Sequence, residues 1–133
     1  MFESIKPSLK ILVVDDDPAV ITLIKDNLST RGYQVFVARD GEEAMENLNL
    51  HHPHLVILDM MMPRVDGYEV CTRIKTHPLT RHIPVIMLTA KKEKESHATV
   101  TAGQMADRYI SKPFDILELE EMVWELLKPG DDR

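Results

Sequence analysis

Short apolar runs alternate along the chain with longer stretches in which apolar residues recur every three to four positions. A short run of this kind predicts a buried strand, and the three-to-four spacing predicts an amphipathic helix. Strands are therefore predicted at residues 10–14, 34–38, 54–58, 84–88 and 107–110. Helices are predicted at residues 18–30, 41–50, 67–77, 93–103 and 115–128. Asp17 and Pro18 suit the start of the first helix, and Gly32 suits its end.

The regular alternation of five strands with five helices predicts a doubly wound α/β fold. Strands that are apolar along their whole length need cover on both faces, which is typical of a five-stranded parallel sheet between two layers of helices. Right-handed crossover connections restrict the chain to this three-layer arrangement. Ligands of such sheets bind beyond the carboxyl ends of the strands, so the residues that follow each strand are the candidates for function.

The size and composition of the chain are those of one water-soluble domain. Its 133 residues can bury a core without disulfide or metal staples. Hydrophobic residues make up 44% and charged residues 29%, which is ordinary for a globular protein. We therefore expect residues 1–133 to form a single domain with short polar ends. The net charge of −6 argues against direct binding of nucleic acid or of an anionic membrane.

The cysteine content and the hydropathy of the chain indicate its compartment. Cys71 is the only cysteine in the sequence, so no internal disulfide can form, and a reducing compartment fits better than secretion. No run approaches the roughly 18 apolar residues that a membrane-spanning helix needs. The first residues also do not show the basic and then apolar pattern of a signal peptide. We expect a cytoplasmic protein.

Polar side chains that could form a functional site follow the first, third, fourth and fifth predicted strands. They are Asp15, Asp16 and Asp17 after the first strand, Asp59 after the third, Thr89 after the fourth, and Ser111, Lys112 and Pro113 after the fifth. Each has an ordinary explanation by itself, since an aspartate after a strand is often a helix cap. Because the carboxyl ends of parallel strands meet at one edge, however, these side chains are expected to lie together there. The four together predict a functional site.

Clustered aspartates at this edge need a compensating charge. Two carboxylates about 4 Å apart repel each other by about 4 kcal/mol at an effective dielectric constant near 20. A hard divalent cation is the simplest relief, and an all-oxygen site with few protein ligands and several waters suits Mg²⁺ or Mn²⁺. Neither a cysteine nor a pair of histidines lies near enough in sequence to suggest zinc.

Four motifs at these strand ends resemble those of the receiver domain of two-component response regulators. The motifs are "ILVVDDDP", "LVILDMMMPRVDG", "VIMLTA" and "YISKPF", in the order of the family and at roughly its spacing. The resemblance covers about residues 9–128. It implies a flavodoxin-like (βα)5 fold with strand order 2-1-3-4-5 and a phosphoacceptor role in two-component signalling or a phosphorelay.

The resemblance also implies a role for each acidic residue. Asp59 is expected to be the phosphoacceptor, attacking a phosphohistidine of a sensor histidine kinase or phosphotransfer protein, or a small phosphodonor, to form an acyl phosphate. Asp16 is expected to bind Mg²⁺ directly and Asp15 through water, with Asp59 and the backbone carbonyl of Met61 completing the protein ligands. Asp17, the third residue of the acidic run, is instead expected to cap the first helix.

The remaining motif residues are expected to bind the phosphoryl group and to change conformation when it is present. By resemblance, Thr89 donates its hydroxyl to one phosphoryl oxygen and Lys112 pairs with another, with the Lys112–Pro113 bond in the cis form. Thr89 and Tyr109 then rearrange and change the face formed by the fourth helix, the fifth strand and the fifth helix. That face is expected to bind a downstream protein or output domain. The chain is expected to be a monomer or a phosphorylation-dependent dimer, and a regulatory domain that assists its own phosphorylation and dephosphorylation rather than an enzyme.

The sequence lacks the motifs of other functions that share this fold class. A haloacid-dehalogenase-type phosphatase also uses an aspartate after a strand, but "DDDPA" lacks the Thr or Val expected two residues after its second catalytic aspartate. Three aspartates after the first strand would repel the phosphate of FMN. Dinucleotide and P-loop sites need Gly-rich motifs that the sequence does not contain. The alternative that stays open is a receiver-like docking module that works without phosphorylation.

Overall fold

The computed structural model describes residues 8–62, 66–90 and 106–129, which contain five strands and four helices. In chain order these are β1 (Lys10–Val14), α1 (Pro18–Thr30), β2 (Gln34–Ala38), α2 (Gly41–His51), β3 (Leu55–Asp59), α3 (Gly67–Thr76), β4 (Val85–Ala90), β5 (Arg108–Lys112) and α4 (Ile116–Leu127). The helix predicted at residues 93–103 lies outside the described residues, so α4 is the fifth helix of the sequence prediction. Across the described ranges, no helix has the length and apolar character that crossing a bilayer requires.

The five strands form one parallel sheet in the order β2-β1-β3-β4-β5. The predicted doubly wound α/β fold and its strand order are therefore confirmed. The carboxyl ends of β1 and β3, which are neighbours, lie at the centre of one edge of the sheet. This edge is where the sequence predicts the functional site.

Three strands end later than predicted: β3 by one residue, and β4 and β5 by two residues each. The sequence placed Asp59 and Thr89 just beyond their strands, but Asp59 is the last residue of β3 and Thr89 lies within β4. The reason is the ladder of backbone hydrogen bonds. Asp59 pairs with Leu88, and the N–H of Met60 donates to the carbonyl oxygen of Leu88 at 2.9 Å. Both side chains are therefore held by regular strand backbone rather than by a loop.

Buried side chains alternate between two cores, one on each face of the sheet. The first core contains Leu12 and Val14 of β1 with residues from α2 and α3, and the second contains Ile11 and Val13 with residues from α1 and α4. Burying a side chain of this size stabilises the fold by about 1.5–3 kcal/mol. A sheet covered on both faces leaves mainly its edges and the ends of its strands accessible to a ligand.

Aspartates cap all four described helices at their N-termini. The side chains of Asp17, Asp40, Asp66 and Asp115 each accept a hydrogen bond from a backbone N–H of the first helical turn. A cap of this kind contributes about 0.5–2 kcal/mol. The predicted N-cap role of Asp17 is confirmed by its hydrogen bond from the N–H of Ala19 at 2.9 Å.

Candidate functional site

Three carboxylates converge at the carboxyl ends of β1 and β3. Asp15 follows β1 directly and is completely buried, and Asp59 at the end of β3 is 4% exposed. Asp16 lies at the rim and is exposed to solvent. One carboxylate oxygen from each of the three residues lies within 4.8 Å of the other two. The adjacency of β1 and β3 in the sheet explains how residues 44 positions apart come together (59 minus 15).

Backbone hydrogen bonds fix the two buried carboxylates. The N–H of Asp17 donates to Oδ1 of Asp15 at 2.9 Å, and the N–H of Met61 donates to Oδ1 of Asp59 at 3.3 Å. Both donors lie two residues after the carboxylate that they hold. The side chain of Met61 itself is 59% exposed and points away from the core. Each buried carboxylate is thus oriented by the turn that follows its own strand.

Gly67 allows α3 to begin directly against the backbone of Asp59. A Cβ atom at this position would collide with the carbonyl oxygen of Asp59 and press on the Cα of Met60. The N–H of Gly67 also donates to the carbonyl oxygen of Met60 at 2.9 Å. The sequence predicts a helix that begins at residue 67, but the prediction did not include this close approach to the backbone of Asp59. The available signal was a glycine at the first helical position, directly after the N-cap Asp66.

Lys112 reaches into the acidic cluster from the end of β5. Its Nζ lies 3.0 Å from Oδ2 of Asp15 and 3.5 Å from Oδ1 of Asp59. The Lys112–Pro113 bond is cis, as the resemblance implies. Burial alone would lower the pKa of the Lys112 ammonium, but its hydrogen bond to Asp15 and the charge of Asp59 outweigh burial and raise the pKa. The ammonium therefore stays charged and partly neutralises the two buried carboxylates.

One ammonium does not neutralise the cluster. Burial and then the charge of Asp15 raise the pKa of Asp59 from 3.8 to about 6, although Lys112 and the N–H of Met61 act in the opposite direction. The remaining negative charge is what a divalent cation relieves. Three oxygen donors with one at an exposed rim, where water can complete the coordination shell, fit the preference of Mg²⁺ or Mn²⁺. The residues present therefore fit such a cation.

The hydroxyl of Thr89 is buried without a hydrogen-bond partner among the described residues. The Thr89 side chain is 1% exposed. Leaving a buried hydroxyl unsatisfied costs about 1–3 kcal/mol, so such groups call for an explanation. Thr89 lies in β4 beside the end of β3, at the same sheet edge as Asp59. A ligand on Asp59 that carries oxygen acceptors would satisfy this hydroxyl.

Tyr109 lies on the same face of the sheet as Thr89. It pairs with Met87 across β4 and β5, and Thr89, two residues after Met87, pairs with Ser111. Side chains two residues apart on a strand share a face. The Tyr109 ring is half-buried against the first core, and its hydroxyl accepts a hydrogen bond from the N–H of Ala106 at 3.4 Å. Thr89 and Tyr109 are therefore directed to the same face of neighbouring strands.

Comparison with known proteins places the chain among receiver domains. The family model of the response regulator receiver domain matches residues 11–124. The chain is 41% identical over 122 residues to the alkaline phosphatase synthesis transcriptional regulatory protein PhoP of Bacillus subtilis, covering 92% of this chain and 50% of that protein. The chain thus spans about half the length of this relative.

Solved structures agree with the sequence match. A putative response regulator from Chloroflexus aurantiacus superimposes with a TM-score of 0.82 and 36% identity, covering 92% of this chain and 100% of the other. The receiver domain of the sensor histidine kinase PA1611 of Pseudomonas aeruginosa, with a magnesium ion coordinated in its active site cleft, has a TM-score of 0.78 and 28% identity, over 90% and 98% of the two chains. With its parallel sheet and the acidic cluster at the strand ends, the chain belongs to the response regulator receiver domain family of two-component signalling.

Proposed function

We propose that Asp59 is the phosphoacceptor of this receiver domain. The donor is the phosphohistidine of a sensor histidine kinase or phosphotransfer protein, or a small phosphodonor. The observation that carries the proposal is that a buried carboxylate with the Lys112 ammonium 3.5 Å away lies at the strand end next to Thr89. The Thr89 hydroxyl has no hydrogen-bond partner in the described part of the chain. Of the three clustered carboxylates, Asp59 alone lies at the end of the strand next to Thr89. A phosphoryl group on Asp59 would offer oxygen acceptors to both donors.

The proposed transfer needs no general base, because an ionised carboxylate is already a nucleophile. A carboxylate oxygen of Asp59 forms a bond to phosphorus while the bond from phosphorus to the donor nitrogen breaks, and that electron pair returns to the imidazole. The transition state spreads negative charge over the equatorial phosphoryl oxygens. We expect the Lys112 ammonium and the Thr89 hydroxyl to stabilise that charge. The pKa of about 6 leaves Asp59 mostly ionised at neutral pH.

We propose that Asp15, Asp16 and Asp59 hold Mg²⁺, with Mn²⁺ as a substitute, and that the backbone carbonyl of Met61 completes the protein ligands. When bound, the ion would neutralise the carboxylates and the phosphoryl oxygens. Asp16 is the direct ligand and Asp15 acts through water in this assignment. The cluster of oxygens within 4.8 Å supports the site, as does the magnesium ion in the cleft of the related Pseudomonas receiver.

We further propose that phosphorylation acts through Thr89 and Tyr109 on the face formed by the fourth helix of the sequence prediction, β5 and α4. A downstream protein or output domain would bind this face. The Bacillus relative is named as a transcriptional regulatory protein, and we propose that this chain serves a similar regulator in the cytoplasm. The net charge of −6 favours protein partners over direct binding of DNA or membrane by this domain. It would act as a monomer or as a phosphorylation-dependent dimer.

Incubation with acetyl phosphate tests the proposal without any partner kinase. The wild type with Mg²⁺ is expected to gain the mass of one phosphoryl group, and removal of Mg²⁺ with a chelator is expected to abolish the gain. Asp59→Asn is expected to gain nothing, whereas Asp26→Asn, a substitution on the exposed face of α1, is expected to behave as wild type. An unchanged mass of the wild type would instead favour the docking module that works without phosphorylation.

A further inference from the structure

Lys75, near the end of α3, is held by three oxygens that belong to other parts of the chain. Its Nζ lies 2.8 Å from Oδ2 of Asp107, 2.8 Å from the carbonyl oxygen of Ile83 and 3.4 Å from that of Arg81. The side chain is only 16% exposed, unlike most surface lysines. These contacts join α3 both to the segment that leads into β4 and to the residue that precedes β5.

Asp107 links Lys75 to the sheet through hydrogen bonds to β4. Its Oδ2 also accepts a hydrogen bond from the N–H of Val85 at 2.8 Å, and its own N–H donates to the carbonyl oxygen of Val85 at 2.9 Å. Asp107 is therefore bound at both its backbone and its side chain to the first residue of β4. The ammonium of Lys75 shares the same carboxylate oxygen, so it holds that oxygen where the N–H of Val85 can reach it.

The residue before Asp107 contacts the proposed switch. The N–H of Ala106 donates to the hydroxyl of Tyr109 at 3.4 Å, and both residues belong to the first core. The position of this N–H follows from the position of Asp107, the next residue in the chain. A continuous set of contacts thus runs from Lys75 through Asp107 and Ala106 to Tyr109, on the face of the sheet that carries Thr89.

We propose that Lys75 is a positioning residue for Tyr109: by fixing Asp107 it stabilises the conformation in which the Tyr109 hydroxyl accepts the N–H of Ala106. This inference rests on the proposed function, in which a phosphoryl group on Asp59 favours a different position of the Tyr109 ring. Removing the Lys75 ammonium destabilises the conformation with the Ala106–Tyr109 hydrogen bond relative to the conformation that a phosphoryl group favours. By linkage, a ligand that favours the rearranged conformation then binds more tightly.

The test compares Lys75→Met with Arg73→Met. Both variants remove a cation from the same helix, but Arg73 pairs with the exposed Glu69 in an i,i+4 surface pair. The probe is beryllofluoride with Mg²⁺, a mimic of a phosphoryl group on a carboxylate, and its affinity is measured by titration. Protein labelled with fluorotyrosine reports the ring through fluorine NMR, with the Tyr109 resonance assigned from Tyr109→Phe.

Lys75→Met is expected to bind beryllofluoride about three- to tenfold more tightly than wild type, a typical size for coupling through a contact network. Its Tyr109 resonance in the free protein is expected to shift toward the beryllofluoride-bound position. Arg73→Met is expected to match wild type in both measurements, and Lys75→Arg is expected to restore most of the wild-type behaviour. If Lys75→Met does not fold, Asp107→Asn replaces it, because the amide oxygen can still accept the N–H of Val85 while the charge pair with Lys75 is lost.

Equal or weaker beryllofluoride affinity in Lys75→Met, or an unmoved Tyr109 resonance, would overturn the role of Lys75 and leave the proposed function intact. Failure of the wild type to bind beryllofluoride would overturn both. The two failures are therefore distinguished by the wild-type titration alone.

Discussion

Replacing Asp59 by Asn is expected to stabilise the metal-free protein. The raised pKa of Asp59, about 6 against 3.8, corresponds to about 3 kcal/mol of unfavourable free energy when the carboxylate is ionised in the folded state. The neighbouring Asp16 is exposed, so water reaches the rim of the cluster and screens part of this energy. We therefore expect Asp59→Asn to raise the free energy of unfolding by about 1–2 kcal/mol at neutral pH. The amide oxygen can still accept the N–H of Met61.

The pH dependence of this difference follows from the sign of the pKa change. The folded state holds the proton of Asp59 more tightly than the unfolded state, so stability falls as pH rises from 3.8 to about 6, the range in which the unfolded state loses this proton and the folded state keeps it. Below about pH 4 the group is protonated in both states, and wild type and variant are expected to be equally stable. The advantage of the variant is expected to appear between these values and to stay constant above them.

Urea denaturation of both proteins in a chelator, at several pH values, measures this difference. Asp26→Asn, on α1, is the control, and we expect it to change stability by less than about 0.5 kcal/mol. Mg²⁺ is expected to stabilise the wild type by mass action and to stabilise Asp59→Asn much less, so that the advantage of the variant shrinks. If Asp59→Asn is less stable than wild type at neutral pH without metal, the reasoning is refuted that burial and the charge of Asp15 destabilise the ionised Asp59.

Three other substitutions separate the roles assigned to neighbouring residues. Asp16→Ala is expected to weaken Mg²⁺ binding, measured by calorimetry, far more than Asp17→Ala does. Asp17→Ala is instead expected to lower the free energy of unfolding by about 0.5–2 kcal/mol, because the helix cap is lost. Equal losses of Mg²⁺ affinity would show that the acidic run is wrongly assigned. Lys112→Ala is expected to keep Mg²⁺ binding but to leave the Tyr109 fluorine resonance unmoved on phosphorylation, and a normal shift would remove Lys112 from the coupling. Gly67→Ala is expected to lower the free energy of unfolding by about 1–3 kcal/mol and to weaken Mg²⁺ binding, because the added Cβ displaces the backbone of Asp59. Wild-type stability together with wild-type Mg²⁺ affinity would contradict the close packing of Gly67 against Asp59.

Hydrophobic periodicity was enough to predict the doubly wound α/β class, because the central strands are apolar on both faces and the helices on one. The strand order came from the resemblance to receiver domains. The strand ends were less predictable. Whether Asp59 and Thr89 lie inside or beyond their strands depends on which backbone groups find partners in the neighbouring strand, and the side chains do not encode this. The polar residues at the strand ends could nevertheless be identified, because an aspartate interrupts an apolar run at the position where the topology brings the strands together.

Features that depend on contacts between distant segments could not be read from the sequence. That the Thr89 hydroxyl has no partner within residues 8–62, 66–90 and 106–129 is visible only once the surrounding side chains are in place. The same holds for the pairing of Lys75 with Asp107, since a lysine near the end of a helix is ordinarily a solvated charge. The collision that excludes a side chain at Gly67 likewise requires the position of the Asp59 backbone. In each case the residue type is unremarkable, and only the tertiary contact gives it a role.

The location of the phosphoryl group among the three clustered carboxylates tests the central claim most directly. Protein treated with acetyl phosphate and Mg²⁺ is reduced with borohydride, which converts an acyl phosphate to an alcohol, and its peptides are sequenced by mass spectrometry. The account predicts conversion at Asp59 and an unmodified peptide containing Asp15 and Asp16. Conversion at Asp15 or Asp16, or at none of the three in a protein that has gained the mass of a phosphoryl group, would contradict it.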